Sequence, residues 1–182
     1  MGGTVAWLPM SHPPSAVANT FLRLSRNAHQ PIDPMKMQKL VYFAHGWHLG
    51  LNGTPLISEP IEAWDYGPVV PSLYRALKPY GAGQILEPLQ DFAPDVNGGF
   101  RSVRLTVEDD ATQQLLKRIL DVYGKLSALQ LSEITHRPDT PWAQIRSAFP
   151  GVRGAVIPDS LMERYFKQLA QQNATNRATA GA

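Results

Sequence analysis

The stretch from Asp33-Pro34 to Gly53 constrains the fold of this chain more than any other. Asp suits a helix N-cap because its carboxylate accepts a first-turn N–H, and Pro at the first helical position forfeits no hydrogen bond. Gly53 stands where a helix can end in the left-handed conformation. The helix so framed runs from Met35 to about Asn52. It places Met37, Leu40, Val41, Ala44, Trp47, His48 and Leu51 on one broad stripe, wide enough for a central core helix. Gly46 and Gly50, four apart and off that stripe, cost helix propensity and mark where another backbone packs closely.

Around that helix the chain is punctuated by 14 glycines and 16 prolines among 182 residues. Such a content predicts many short elements joined by tight turns. The length suits one domain with a core that needs no covalent staple. With no cysteine, disulfide scaffolds, thiolate zinc sites, iron–sulfur clusters and cysteine nucleophiles are excluded. Lys and Arg total 17 against 15 Asp and Glu, too even a balance for a dedicated nucleic-acid binder. The first ten residues lack the basic and apolar regions of a secretion signal. The longest apolar stretch, 40–51, is interrupted by His45 and His48 and is too short to span a bilayer. A cytoplasmic protein without a membrane partner is expected.

Further helices are predicted at Ser15 to Ala28, from Pro71 to Gly81, and after Thr106 as cap. Ser127 with Gln130 and Ser160 with Glu163 read as capping boxes opening helices at 128–135 and 161–170. Thr140-Pro141-Trp142 opens another short helix. Strands are expected at Ile61 to Tyr66, broken by Gly67-Pro68, and at Gln84 to Leu89 and Phe100 to Leu105, joined across Asn97-Gly98-Gly99. The sum is an α+β, mostly α-helical single domain with a small antiparallel β-sheet. Residues 1–13 read as an N-terminal extension, 14–170 as the domain and 171–182 as a disordered tail without periodicity.

Few constellations carry chemistry. His45 and His48 could share a metal, with Glu62, Asp65 and His136 as the tempting further ligands, but the H-E-x-x-H spacing is absent. Glu133 and His136 could pair for acid–base work. A histidine bonding the last carbonyls of a helix explains His136 as well. No nucleophile elbow is present. No catalytic residue, metal ligand or cofactor-binding residue is therefore assigned, and no cofactor is expected. The basic pairs Arg23/Arg26, Lys36/Lys39, Arg75/Lys78, Arg101/Arg104 and Lys117/Arg118 read as solvated helix and strand edges.

Four blocks are recognisable beyond this. Met35 to His48, then Pro55-Leu56 with Ile61-Glu62-Ala63-Trp64-Asp65-Tyr66-Gly67-Pro68-Val69-Val70-Pro71, closely resemble the first two motifs of the Panacea domain, the SocA-like antitoxin (phage-associated, GepA-like) family. Leu131-Ser132-Glu133 with Thr135-His136 and Pro141-Trp142 resemble its third, and Ile157 with Tyr165-Phe166 its closing helix. The common family opening has Gln where His45 stands. The resemblance implies a non-enzymatic antitoxin of a type II-like system, neutralising a cognate toxin encoded by an adjacent gene through direct binding. It also implies that Gln38, Tyr42, Trp47, Glu62, Trp64, Gly67, Pro68, His136 and Trp142 form the family scaffold. The exposed side of the central helix and the strand–turn segment then supply the candidate toxin contacts: Lys36, Lys39, Asp65, Tyr66, Val69, Arg75 and Lys78. A homo-oligomer and delivery of the toxin to a protease stay open as further partners. The rival readings are a metal-dependent hydrolase and a nucleic-acid-binding regulator of its own operon.

Overall fold

The computed structural model describes residues 11–180. Helix α1 (Pro14–Asn27) leads into α2 (Pro34–Asn52), the hairpin β1 (Ile61–Trp64) and β2 (Gly67–Val69), and α3 (Pro71–Leu77), which tightens into a 3₁₀ turn at Lys78–Tyr80. Then follow β3 (Asp91–Pro94), β4 (Phe100–Val103), α4 (Asp110–Tyr123), α5 (Ala128–Thr135), α6 (Pro141–Ala148), β5 (Ala155–Ile157) and α7 (Asp159–Ala180). The domain is α+β and dominated by helices, as its sequence suggests.

The local signals that frame α2 act as expected. Asp33 accepts the Lys36 N–H at 2.9 Å, and Gly53 closes the helix at φ +69°. Ser127 and Gln130 form a reciprocal capping box, and Thr140 caps α6. Two caps lie elsewhere. Asp109, not Thr106, receives the Thr112 N–H at 2.8 Å, because the Thr106 hydroxyl turns to Glu108. Ser160 lies inside α7, which starts at Asp159 with first-turn N–H groups donating to Pro158 O. That helix also runs ten residues past the expected end at Ala170. The segment expected to be disordered is helical up to Ala180, consistent with its Ala- and Gln-rich composition. Of the expected N-terminal extension only residues 11–13 are described, and there His12 exchanges backbone hydrogen bonds with Leu56 and Ser58.

Helix α2 is the axis of the core. It is buried without interruption from Lys36 to Gly46, so the single stripe expected from the sequence is really a helix covered on all sides. Leu51, placed on that stripe, is instead exposed at the outer end. Helix α7 crosses α2 at Gly46 and Gly50. A Cβ on Gly50 would meet the Phe166 carbonyl carbon at 2.8 Å, and one on Gly46 would strike the Phe166 ring. Phe166 is fully buried there, packed edge-on against Tyr42 and Trp47.

His45 joins three segments. Its Nδ1 accepts the Leu56 and Ile57 N–H groups, both at 3.3 Å, and its Nε2–H donates to the Asp159 carboxylate at 3.0 Å. The tautomer is thereby set by two amide donors on one side and a carboxylate on the other.

The strands depart most from expectation. The main sheet has the order β2-β1-β5, all antiparallel, with Glu62 opposite Val69 and Ile61 opposite Ile157. Gly67-Pro68, read as a break, begins β2, and the turn is Asp65-Tyr66. Residues 84–89 are not a strand, because their backbone bonds elsewhere: Leu89 N–H to Asn19 Oδ1 of α1 at 2.7 Å, and Ile85 N–H to Ile32 O in the connection between α1 and α2. The partner of β4 is β3 instead.

Substituting Gly50→Ala should lower stability by about 1–3 kcal/mol, since α7 must shift to admit the methyl group. Thermal and urea denaturation measure this, and a wild-type melting curve would refute the close crossing. His45→Gln, which retains an acceptor and a donor, should stay near wild type. His45→Leu strands two buried N–H groups and should cost about 1–3 kcal/mol in the same assays.

Candidate functional site

The site is built on the β1–β2 hairpin. Pairing in so short a ladder leaves the turn carbonyls without sheet partners, and buried carbonyls need donors. The helices supply them. Trp142 Nε1–H donates to Trp64 O at 2.8 Å, and Ser132 Oγ–H to Tyr66 O at 2.9 Å. The His136 ring lies with Nδ1 2.6 Å from Ser132 O and Nε2 3.3 Å from Asp65 O. Gln38 holds Val70 from both sides, accepting its N–H at 2.8 Å and donating to its carbonyl at 3.3 Å.

Gly67, at φ +107°, occupies backbone space that an L side chain rarely adopts. A Cβ there would also lie 2.6 Å from the Lys39 amine and 3.0 Å from Thr135 Oγ1.

Beside this clamped hairpin lies a cleft of about 770 Å³. Its walls come from the first turns of α2 (Pro34, Met35, Gln38, Lys39), from the hairpin (Glu62, Trp64, Asp65, Tyr66, Val69) and from α3 with its 3₁₀ turn (Tyr74, Leu77, Lys78). Arg153 and Gly154, just before β5, close it. Two carboxylates in the walls are already engaged. Glu62 Oε2 accepts the Trp64 indole N–H at 2.8 Å, and Asp65 accepts the Arg146 guanidinium at 2.8 Å. Tyr66 stands out at 77% exposure, and Trp64 packs on Tyr74 with ring centroids 4.8 Å apart.

The structure sorts the sequence candidates. Lys39, Asp65, Tyr66, Val69 and Lys78 converge on the cleft. Arg75 is exposed on α3 but does not line it. Lys36 and Lys39, taken as an exposed edge, are buried. The Lys36 amine donates to Gly124 O at 2.5 Å, and Lys39, only 1% exposed, donates to Pro68 O at 3.3 Å. Spacing alone cannot reveal a helix covered on every side. Arg153 and Tyr74 were missed. Arg153 reaches the cleft just ahead of β5, a strand whose three residues carry no legible pattern, while Tyr74 lies on α3 next to the buried Leu73.

Among the remaining motif residues, Trp47 Nε1–H donates to Tyr123 OH at 3.0 Å, and Tyr42 is buried among Phe43 and Phe166. Burial raises the Tyr42 phenol well above its ordinary range. His48 donates to Thr54 O at 2.7 Å, and burial lowers its pKa. The Glu133 carboxylate is exposed and does not bond the His136 ring; only the Glu133 carbonyl accepts the His136 backbone N–H, at 3.2 Å. Among the described residues no three His, Asp or Glu side chains gather into a group that could hold a metal ion. None of the described helices is long and apolar enough to cross a membrane.

Comparison with known proteins points the same way as the motifs. The family described as antitoxin SocA-like, Panacea domain, matches residues 37–143. Antitoxin SocA of Caulobacter vibrioides (strain NA1000 / CB15N) is 32% identical over 162 residues, covering 87% of this chain and 85% of that protein. No solved structure matches significantly.

Burial of Lys39 makes folding depend on pH. Desolvation lowers its pKa to about 7, whereas the unfolded chain keeps the proton up to the ordinary 10.5. Between those values the unfolded state binds more protons, so this group makes stability rise with pH. Melting temperatures should therefore climb from pH 7 to pH 9. Lys39→Met should flatten that rise, since it removes the titrating amine. Parallel pH profiles for the two proteins would contradict the burial of the amine.

Proposed function

The chain belongs to the SocA-like Panacea antitoxin family, and from that membership we propose that it neutralises a cognate toxin in the cytoplasm by binding it directly as a protein. One observation carries the location. Five of the seven candidate contact residues line a single cleft, walled by Trp64 and Tyr74 and flanked by the exposed Tyr66. Exposed aromatics beside an apolar depression are the usual anchors of a protein interface. The toxin lies over this cleft and the β1–β2 turn, in an interface of about 1,600 Å² in total.

Binding, not turnover, is the activity. The titratable and amide motif side chains are engaged in the fold: His136 beside the Ser132 and Asp65 carbonyls, Glu62 on an indole, Gln38 on Val70. A catalytic pair would need such groups free to reach a substrate.

Co-expression with the product of the adjacent open reading frame tests the reading. The expected result is that this product arrests growth alone, that the wild-type chain restores growth, and that the two co-purify. Tyr66→Ala, at an exposed position, should weaken the complex by about 1–3 kcal/mol, read by calorimetry, without shifting the melting temperature. A harmless neighbour, or a pair that does not associate, would overturn the reading.

A further inference from the structure

The charges around the cleft are not balanced among themselves. Both carboxylates in its walls have partners, Glu62 in the Trp64 indole and Asp65 in Arg146. The cations do not. Lys78 and Arg153 are exposed and form no ion pair among the described residues. Lys39, behind the hairpin, also has no carboxylate within ion-pair distance. Asp65 is neutralised by Arg146, and the neutral indole leaves the single charge of Glu62 against the two of Lys78 and Arg153. The exposed charge of the cleft is therefore positive on balance, while Trp64, Tyr74 and Leu77 supply apolar and aromatic wall.

We infer that the cleft receives an acidic, apolar segment of the partner protein, with a hydrophobic side chain against Trp64 and Tyr74 and flanking carboxylates on Lys78 and Arg153. This rests on the antitoxin reading and adds the chemistry of the segment that the toxin presents. Charge complementarity of this kind sets specificity and speeds encounter. A nucleic acid would meet the same cations, and titration with an oligothymidylate separates the two.

The test uses the full chain and blocked hexapeptides, and needs no toxin. ¹⁵N-labelled protein is titrated with acetyl-Glu-Glu-Leu-Phe-Glu-Glu-amide, with its Gln and Lys counterparts, and with an oligothymidylate. The readout is the Trp64 indole resonance, assigned by Trp64→Phe. The acidic peptide should shift it with a Kd of about 1 mM. The Gln peptide should bind about 3- to 10-fold more weakly. The double variant Lys78→Glu/Arg153→Glu, altered only at exposed positions, should reverse the order of the Glu and Lys peptides. Equal affinity for the Glu and Gln peptides, no shift at Trp64, or tighter binding of the oligothymidylate would each overturn the inference. Growth rescue by the wild-type chain in those cases would leave the antitoxin reading standing, and loss of rescue would remove that reading instead.

Discussion

The carbonyls of the β1–β2 hairpin must find donors outside their own ladder, and much of the fold follows from how they do so. A ladder of three residue pairs cannot satisfy its own turn, and a buried carbonyl left alone costs about 1–3 kcal/mol. Here the oxygens of Trp64, Asp65, Tyr66, Pro68 and Val70 each meet a side chain from a helix. Those side chains come from α2, α5, α6 and the residue capping α5, so one short hairpin ties together elements from positions 38 to 142. The cleft is bounded by this clamped hairpin on one side and by α3 on another.

The same economy governs α2. A helix buried along eleven successive residues must find room for polar side chains that belong to its outer faces in any isolated helix. Lys36 and Lys39 resolve this by lending their amines to the Gly124 and Pro68 carbonyls, and Gln38 by bonding both backbone groups of Val70. On the remaining side, Gly46 and Gly50 remove side chains altogether so that Phe166 can fill the gap. His45 completes the arrangement by linking α2 to the 56–57 segment and to the start of α7.

This division gives a physical account of how one scaffold could serve partner binding. Several motif residues, Gln38, Ser132 and Trp142 among them, spend their polar ends on backbone groups of the same chain. Of the side chains exposed at the cleft, Lys78, Arg153 and Tyr74 lie outside those motifs and Tyr66 within them. In the proposed reading, the fold and the choice of partner are carried by largely different residues, so the second can vary at little cost to the first.

What the sequence determined by itself was most of what depends on neighbours along the chain. Asp33-Pro34 and Gly53, the Ser127–Gln130 box and Thr140 were legible because a cap acts within one turn of the residue that carries it, and Gly46 and Gly50 marked a close approach without naming Phe166 as the neighbour. The four motif blocks were legible too, and with them the family. Tertiary structure alone decided the burial of Lys36 and Lys39, the recruitment of Gly67–Val69 and Ala155–Ile157 into the sheet, and the loss of 84–89 as a strand. It also brought Arg153 to the cleft. Each of these depends on groups far apart in the chain, whose hydrogen bonds and contacts have no local signature. A strand of three residues or a lysine on a covered helix is settled only when the rest of the molecule closes over it.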